Sequence, residues 1–233
     1  MKHLILMPTY NEAENIEKII MQIMSMCDEV YLKIIDDNSP DGTGDVVSKL
    51  LPTFPHLSLL SRSRKNGLGK AYINGFREVI KDNSVTHIFM MDADMSHNPI
   101  YIKEMVLQST DYDLVIGSRY IKGGGTVGWE LWRRMLSFFG NMYARIVTRM
   151  PVKDMTGGFN CINIEKIKEI DLDSLDSSGY AFIMQLKYSL FRNNASIKEI
   201  PIIFVNRLGG ESKISNNIIS EGILAPWKMI WKK

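Results

Sequence analysis

Cysteine is scarce. Cys27 and Cys161 are the only 2 in 233 residues, and they match neither a zinc-ligand spacing nor a disulfide framework, so both read as packing residues and a reducing compartment is the simpler expectation. Long apolar runs are missing as well: no stretch of about 18 apolar residues is available to cross a bilayer. The N-terminus enters a strand pattern at once, without the features of a signal peptide, and the expectation is a soluble or peripheral protein. Neither charge sign dominates, and a net charge of +2 is too small to argue for a nucleic-acid partner. Common phosphate loops are absent too. Neither G-x-G-x-x-G nor G-x-x-x-x-G-K-[ST] occurs, since Gly67-Leu68-Gly69-Lys70 lacks the earlier glycine and the hydroxyl residue. A nicotinamide-binding oxidoreductase would therefore lack its fingerprint. There is no G-x-S-x-G elbow, and none of the 4 histidines has a nucleophilic partner by spacing. His87 reads as a strand residue and His3 as a surface one, while His97 is a candidate for ligand contact by position. No internal repeat or low-complexity linker interrupts the chain.

What is present is a chain that is 45% hydrophobic, long enough for one large α/β domain with a substantial core. Strand-like runs at Leu4 to Met7, Val30 to Ile35, Leu57 to Leu60, His87 to Met91 and Leu114 to Ile116 alternate with helical spacing. The helical segments are Glu14 to Met26, Asp45 to Leu51, Lys70 to Ile80 and Ile100 to Leu107. Such alternation predicts a mostly parallel sheet with helices on both faces. In such a sheet the polar segments after the first, second, fourth and fifth strands gather on one edge, where open α/β sheets bind ligands. Pro40 to Gly42 has turn chemistry and Thr43 is placed to cap the next helix. Asp36 and Asp37 remain, an acidic pair suited to hydrogen-bonding base or ribose groups.

The most informative of these segments is Asp92-Ala93-Asp94, directly after the apolar run Ile88 to Met91. Carboxylates one residue apart at a strand end can face one divalent cation. Oxygen ligands of this kind suit Mg²⁺ or Mn²⁺ held jointly with substrate phosphates rather than zinc.

Between Glu130 and Met150, Leu131, Met135, Phe138, Phe139, Met142 and Ile146 follow i, i+3, i+4, i+7 spacing. Arg133, Ser137, Asn141 and Arg145 lie four apart on another face, so an amphipathic helix is expected. An ordinary core-facing helix has the same pattern; Trp129, Trp132 and the basic cluster favour one that rests on lipid headgroups. The C-terminal stretch mixes Trp227 and Trp231 with Lys228, Lys232 and Lys233, an aromatic and basic composition typical of membrane interfaces.

Pro-Thr-Tyr-Asn-Glu at 8 to 12, Asp-Asp-Asn-Ser-Pro-Asp-Gly-Thr at 36 to 43, Gly-Leu-Gly at 67 to 69, Asp-Ala-Asp-Met-Ser-His at 92 to 97 and Gly-Ser-Arg-Tyr at 117 to 120 resemble the GT-A glycosyltransferases of family 2. Further along, Gly128-Trp129 with Arg133, Ser137, Gly140-Asn141, the Asp154 to Phe159 run, Gly179-Tyr180 and Asn206-Arg207 through Lys213 resemble the catalytic part of the dolichyl-phosphate mannosyltransferases. The resemblance runs in order from Pro8 to Lys213. It implies a GT-A catalytic domain over 1–215 and an amphipathic tail over 216–233 that anchors to a membrane or a partner.

It also implies site residues. Pro8, Tyr10 and Glu12 would border the nucleotide, Ile35 and Asp37 would reach base and ribose, and Ala93 would line the nucleotide site. Asp92 and Asp94 would hold the metal; Ser96 stands where relatives carry Gln or a hydroxyl residue and is a weaker ligand than a carboxamide. Arg207 and Lys213 match the pair that closes over the donor diphosphate, with the segment around Ser212 as a lid. Arg119, Arg133 and Ser137 match contacts to the acceptor's phosphate. The implied reaction moves mannose from GDP-mannose to dolichyl or another polyprenyl phosphate with inversion, on the cytoplasmic side of a membrane, with small anchoring subunits as further partners. Charge growing on the departing diphosphate calls for cations. A phosphate monoester with a second pKa near ~6 arrives largely dianionic, so a strong general base is unnecessary. Alternatives from the same residues are a UDP-sugar or glucose donor, or a non-catalytic nucleotide-sugar-binding subunit.

Overall fold

The computed structural model describes residues 1–27, 29–175, 179–206 and 216–231, of which 179–180 and 216–221 by backbone alone. The first half alternates as its apolar runs predict: β1 (Lys2–Thr9), α1 (Ala13–Met26), β2 (Val30–Asp36), α2 (Thr43–Leu50), β3 (Leu57–Ser61), α3 (Leu68–Val79), β4 (Val85–Met90), α4 (Ile102–Gln108) and β5 (Leu114–Ser118). The second half is less regular. It contains β6 (Gly125–Val127), α5 (Leu131–Thr148), β7 (Asn160–Asn163), α6 (Ile164–Lys168), α7 (Gly179–Arg192), β8 (Ile197–Pro201), β9 (Ile203–Val205) and α8 (Asn216–Trp231).

A seven-stranded sheet runs in the order β3-β2-β1-β4-β7-β5-β8. Its neighbours are parallel except for β7, which is antiparallel to both β4 and β5. Consecutive residues Leu4, Ile5, Leu6 and Met7 are all buried, as a strand covered on both faces requires. One face packs on α3 and α7 through Tyr72, Phe76 and Phe182; the other packs on α1 through Ile16, Ile19, Ile20 and Ile23. The register Pro8 to Ile35 and Leu6 to Met90 levels the strand ends, so the segments following β1, β2, β4 and β5 meet at one edge, as anticipated.

Several local expectations need correcting. Thr43 does not cap α2: Gly42, with φ +85°, holds the cap position. Thr43 is instead fully buried, its hydroxyl donating to Asp41 Oδ1 at 2.6 Å and accepting from Glu12 N at 3.0 Å, which staples the loop after β2 to the start of α1. The helix expected from Ile100 begins as a 3₁₀ turn over Pro99–Tyr101, with the Asn98 side chain accepting from Ile100 N.

His3 is not a surface residue. It is buried at the opposite end of β1, with Nε2 3.1 Å from Ser109 Oγ and its ring stacked on His87 at 5.0 Å. Burial first, then the charges of His87 and the N-terminus, push its pKa from 6.5 down to about 4. The unfolded chain therefore takes up a proton near pH 6.5 that the folded chain refuses until about pH 4. Stability from this site is complete above pH 6.5 and is lost as pH falls toward 4. His3→Gln removes that titration, so the thermal stability of wild type should fall relative to the variant across this interval, by on the order of 2 kcal/mol. Parallel melting curves through it would show the histidine to be irrelevant.

Candidate active site

At one end of the edge, the loops after β1 and β2 are tied together. Asp37 N donates to Thr9 O at 3.1 Å, and Thr9 Oγ1 donates to Asp36 Oδ1 at 2.9 Å. Asp36 also accepts from Ser39 N and Oγ at 3.0 and 2.6 Å, so this buried carboxylate is satisfied inside its own loop and acts as a pin. Its neighbour Asp37 is buried too, paired with the Arg62 guanidinium and accepting from Asn66 N at 3.4 Å. Ile35 is fully buried against α3, where a Cβ on Gly75 would lie 2.7 Å from its Cδ1. Pro8 and Glu12 are half-buried, and the half-buried Tyr10 ring carries Lys65 Nζ 3.7 Å from its centroid.

After β4, Met91 and Ala93 are buried while Asp92 and Asp94 are half-exposed, the alternation of an extended chain. Met95 then turns the backbone with φ +64°. Asp94 Oδ1 accepts from Ser96 N at 3.1 Å. His97 is buried, stacked on Phe159 at 5.0 Å, and its Nδ1 accepts from Asp92 N at 3.0 Å. A neutral ring accepting at Nδ1 carries its proton on Nε2, which faces Asp92 Oδ2 at 3.8 Å. His97 therefore steadies Asp92 from behind. Ser96 Oγ is shielded from solvent and has no hydrogen-bond partner among the described residues. Among the described residues no group of three or more His, Cys, Asp or Glu side chains could hold a metal. Two carboxylates beside an unpaired hydroxyl fit a hard cation that takes its remaining oxygens from substrate.

The other end of the edge is a buried charge cluster. Arg119 follows β5, and its guanidinium makes a bidentate pair with Asp154: Nε to Oδ2 at 2.8 Å and Nη2 to Oδ1 at 2.7 Å. Lys187 from α7 reaches in below and donates to Asp154 O and Gly157 O, both at 2.8 Å. Burial alone would raise the Asp154 pKa; the charge and hydrogen bonds of Arg119, with Lys187, outweigh it and hold the group at about 2. Burial likewise depresses Lys187, to about 8, even with Asp154 nearby. Asn141 from α5 completes the loop, its Oδ1 accepting from Met155 N at 2.7 Å.

Arg133 and Ser137 stand one turn apart on α5. Arg133 lies over the Trp129 ring, its Cζ 4.1 Å from the centroid, and donates to Asn206 Oδ1 at 3.2 Å. Ser137 Oγ accepts from Tyr120 Oη at 2.6 Å. Two glycines let the chain approach: a Cβ on Gly124 would lie 2.5 Å from Ser118 O, and Gly128 has φ +76° beside Asn206. The short parallel pairing of β6 with β9 brings Trp129 and Asn206 together. Arg207, Lys213 and the segment around Ser212 lie outside the described residues.

A family model for glycosyl transferase family 2 matches residues 4–171. The chain belongs to that family. It is 37% identical over 224 residues to an undecaprenyl-phosphate mannosyltransferase of Micrococcus luteus, covering 96% of this chain and 92% of that one. A polyprenol monophosphomannose synthase of Mycolicibacterium smegmatis is also 37% identical, over 230 residues, covering 96% and 86%. The GT-A fold recurs in a Pyrobaculum calidifontis mannosyltransferase in complex with GDP-Man and Mn²⁺, with a TM-score of 0.68 at 14% identity over 100% of this chain and 64% of that one. It recurs again in glucosyl-3-phosphoglycerate synthase of Mycobacterium tuberculosis in complex with Mn²⁺ and UDP-Glc, with a TM-score of 0.68 at 15% identity over 99% and 78%.

Three residues that organise the candidate site have no role assigned from sequence: Arg62 and Lys187, which fall in no motif, and Tyr120, present only as the last residue of Gly-Ser-Arg-Tyr. Each acts through a partner more than fifteen residues away, so spacing carries no signal for it. The amphipathic helix, by contrast, is where expected, and its apolar face is not covered. On α5, Leu131, Met135, Phe138, Phe139, Met142 and Ile146 are all exposed, and Ile223, Leu224, Trp227 and Trp231 on α8 extend the same kind of surface. The two helices touch: Trp227 Nε1 donates to Tyr143 Oη at 2.7 Å, which donates to Ile223 O at 2.9 Å. Ala225 and Met229 are buried, so α8 packs one face and offers the other. Among the described residues no helix is long and apolar enough to cross a membrane.

Proposed function

We propose that this glycosyltransferase transfers mannose from GDP-mannose to dolichyl or another polyprenyl phosphate, inverting the linkage to give a polyprenyl β-mannosyl phosphate. The observation that carries this reading is α5 itself. One face holds Arg133 and Ser137 beside the Arg119 cluster, a cradle for a phosphate, and the other is an uncovered apolar strip suited to a lipid surface. Both named relatives are polyprenyl-phosphate mannosyl enzymes, which supports the sugar and the acceptor class.

On this reading Pro8, Tyr10, Glu12, Ile35, Asp37 and Ala93 form the nucleotide end, and Arg207 and Lys213 close over the diphosphate. Asp92 and Asp94, with Ser96 Oγ as a further oxygen, would hold Mg²⁺ or Mn²⁺, which when bound supplies positive charge to the departing diphosphate. Arg119 and Arg133 hold the acceptor dianion by charge-assisted hydrogen bonds and offset its repulsion from the donor phosphates. Ser137, oriented by Tyr120, fixes its direction of attack. The catalytic domain spans 1–215, and 216–233 is an anchoring tail that sits peripherally on the cytoplasmic side, alone or with small anchoring subunits. Nucleic acid has no part in it.

The division into donor and acceptor ends is testable. Arg133→Ala should raise the KM for polyprenyl phosphate roughly tenfold or more, the cost of a hydrogen bond to a charged group, with GDP affinity by calorimetry nearly unchanged. An equal loss of GDP affinity contradicts the division.

Membrane seating is a separate expectation. Leu131, Ile146 and Trp231 are 70%, 67% and 78% exposed. Replacing all three by Ser should lower co-sedimentation with anionic vesicles severalfold while leaving the melting temperature in place, because these side chains contribute little inside the fold. Wild-type binding should also weaken in high salt as basic residues are screened. Unchanged sedimentation of the triple variant would remove the lipid-facing role from these helices.

A further inference from the structure

Both arginines of the acceptor cradle lie over the Trp129 ring. That ring lies 4.1 Å from Arg133 Cζ and 5.5 Å from Arg119 Cζ, with Phe204 edge-on at 5.4 Å. The backbone on either side is fixed: Asn206 N donates to Val127 O at 2.9 Å and Asn206 Nδ2 to Gly128 O at 3.3 Å. Yet the indole Nε1 is shielded from solvent and, among the described residues, has no hydrogen-bond partner. Buried donors are almost always paired, and a Trp side chain has one donor and no acceptor. The ring's charged neighbours cannot satisfy it, since guanidinium groups only donate. A Phe at this position would bury similar surface and stack on the same arginines without leaving a donor unmet. With two guanidinium groups over the ring and no acceptor among the described residues at its N–H, the group that is missing is an anionic oxygen.

We propose that Trp129 Nε1 donates a hydrogen bond to the phosphate of the polyprenyl acceptor, alongside Arg119 and Arg133. A phosphate monoester brings three terminal oxygens, enough to accept from all three side chains. This inference rests on the reading of Arg119 and Arg133 as acceptor residues. The test is Trp129→Phe, which keeps an aromatic face for both arginines and deletes only the donor. With a short-chain polyprenyl phosphate, its KM should rise about tenfold, the usual cost of losing a hydrogen bond to a charged group. GDP affinity by calorimetry should stay the same, and the melting temperature should not fall, because no internal bond is lost. An unchanged KM overturns the proposal, and so does a lowered melting temperature, which would mean that the indole is bonded within the protein. Arg133→Ala, run in parallel, separates the two levels. If it raises the acceptor KM and Trp129→Phe does not, only the role of Trp129 fails. If neither variant changes that KM, the acceptor cradle itself is misplaced.

Discussion

Asp94→Asn is expected to lower mannosyl transfer roughly a hundredfold or more, while the protein remains folded. Asp94 is half-buried and its one described bond is from Ser96 N at 3.1 Å, which a carboxamide oxygen can also accept. Shape and local structure therefore survive, and what disappears is the negative charge that a hard cation requires. A divalent ion contributes several kcal/mol of charge stabilisation to a departing diphosphate, and each ~1.4 kcal/mol is about tenfold in rate. Chelation of wild type should have the same effect, with Mg²⁺ or Mn²⁺ restoring turnover. Mn²⁺ titration calorimetry should show binding to wild type and none to the variant. Full turnover in the presence of chelator would sink the assignment.

A second large effect is expected at Asp154, this time on stability. The side chain is fully buried between Arg119 and Lys187. Asp154→Asn would leave two buried cations without their counter-charge, and breaking a buried pair from one side typically costs about 3 to 5 kcal/mol. At ~2 to 4 °C per kcal/mol for a domain of this size, the melting temperature should drop by about 10 °C. Because the folded group is held at about 2, well below an ordinary carboxylate, the stabilisation is present at neutral pH and fades as pH falls through 4 toward 2. Wild type and variant should therefore converge in acid. A constant gap at all pH values would show that shape rather than charge is responsible.

The parts legible in sequence are those that repeat or sit at a strand end. Alternating apolar runs gave the parallel half of the sheet, because strands covered on both faces must be continuously apolar. Polar segments after β1, β2, β4 and β5 meet on one edge because parallel strands share a direction. The antiparallel insertion of β7 between β4 and β5 was not legible: Asn160–Asn163 spans four residues and carries no alternation. The ribbon of β6 and β9, which delivers Trp129 to the arginines, is shorter still at three residues each. Long-range pairs show the same limit. Arg62 with Asp37 and Lys187 with Asp154 are solved only by the fold, since burial in this tertiary context makes a partner obligatory. His3 shows a related limit: its polarity suggests solvent, but the fold buries it against Ser109 at the end of α4. For α5 the pattern could not decide between a core and an interface, and the fold leaves its apolar face uncovered.

The measurement that bears most directly on the central claim is incorporation of radiolabel into lipid. The full chain is incubated with labelled GDP-mannose, a polyprenyl phosphate and Mg²⁺ or Mn²⁺, with labelled UDP-glucose in a parallel reaction, and the lipid is extracted. The account predicts label in the lipid fraction from GDP-mannose, little from UDP-glucose, and at most about a hundredth as much with Asp94→Asn. Label that enters lipid from UDP-glucose alone, or from neither donor although GDP binds, would contradict it.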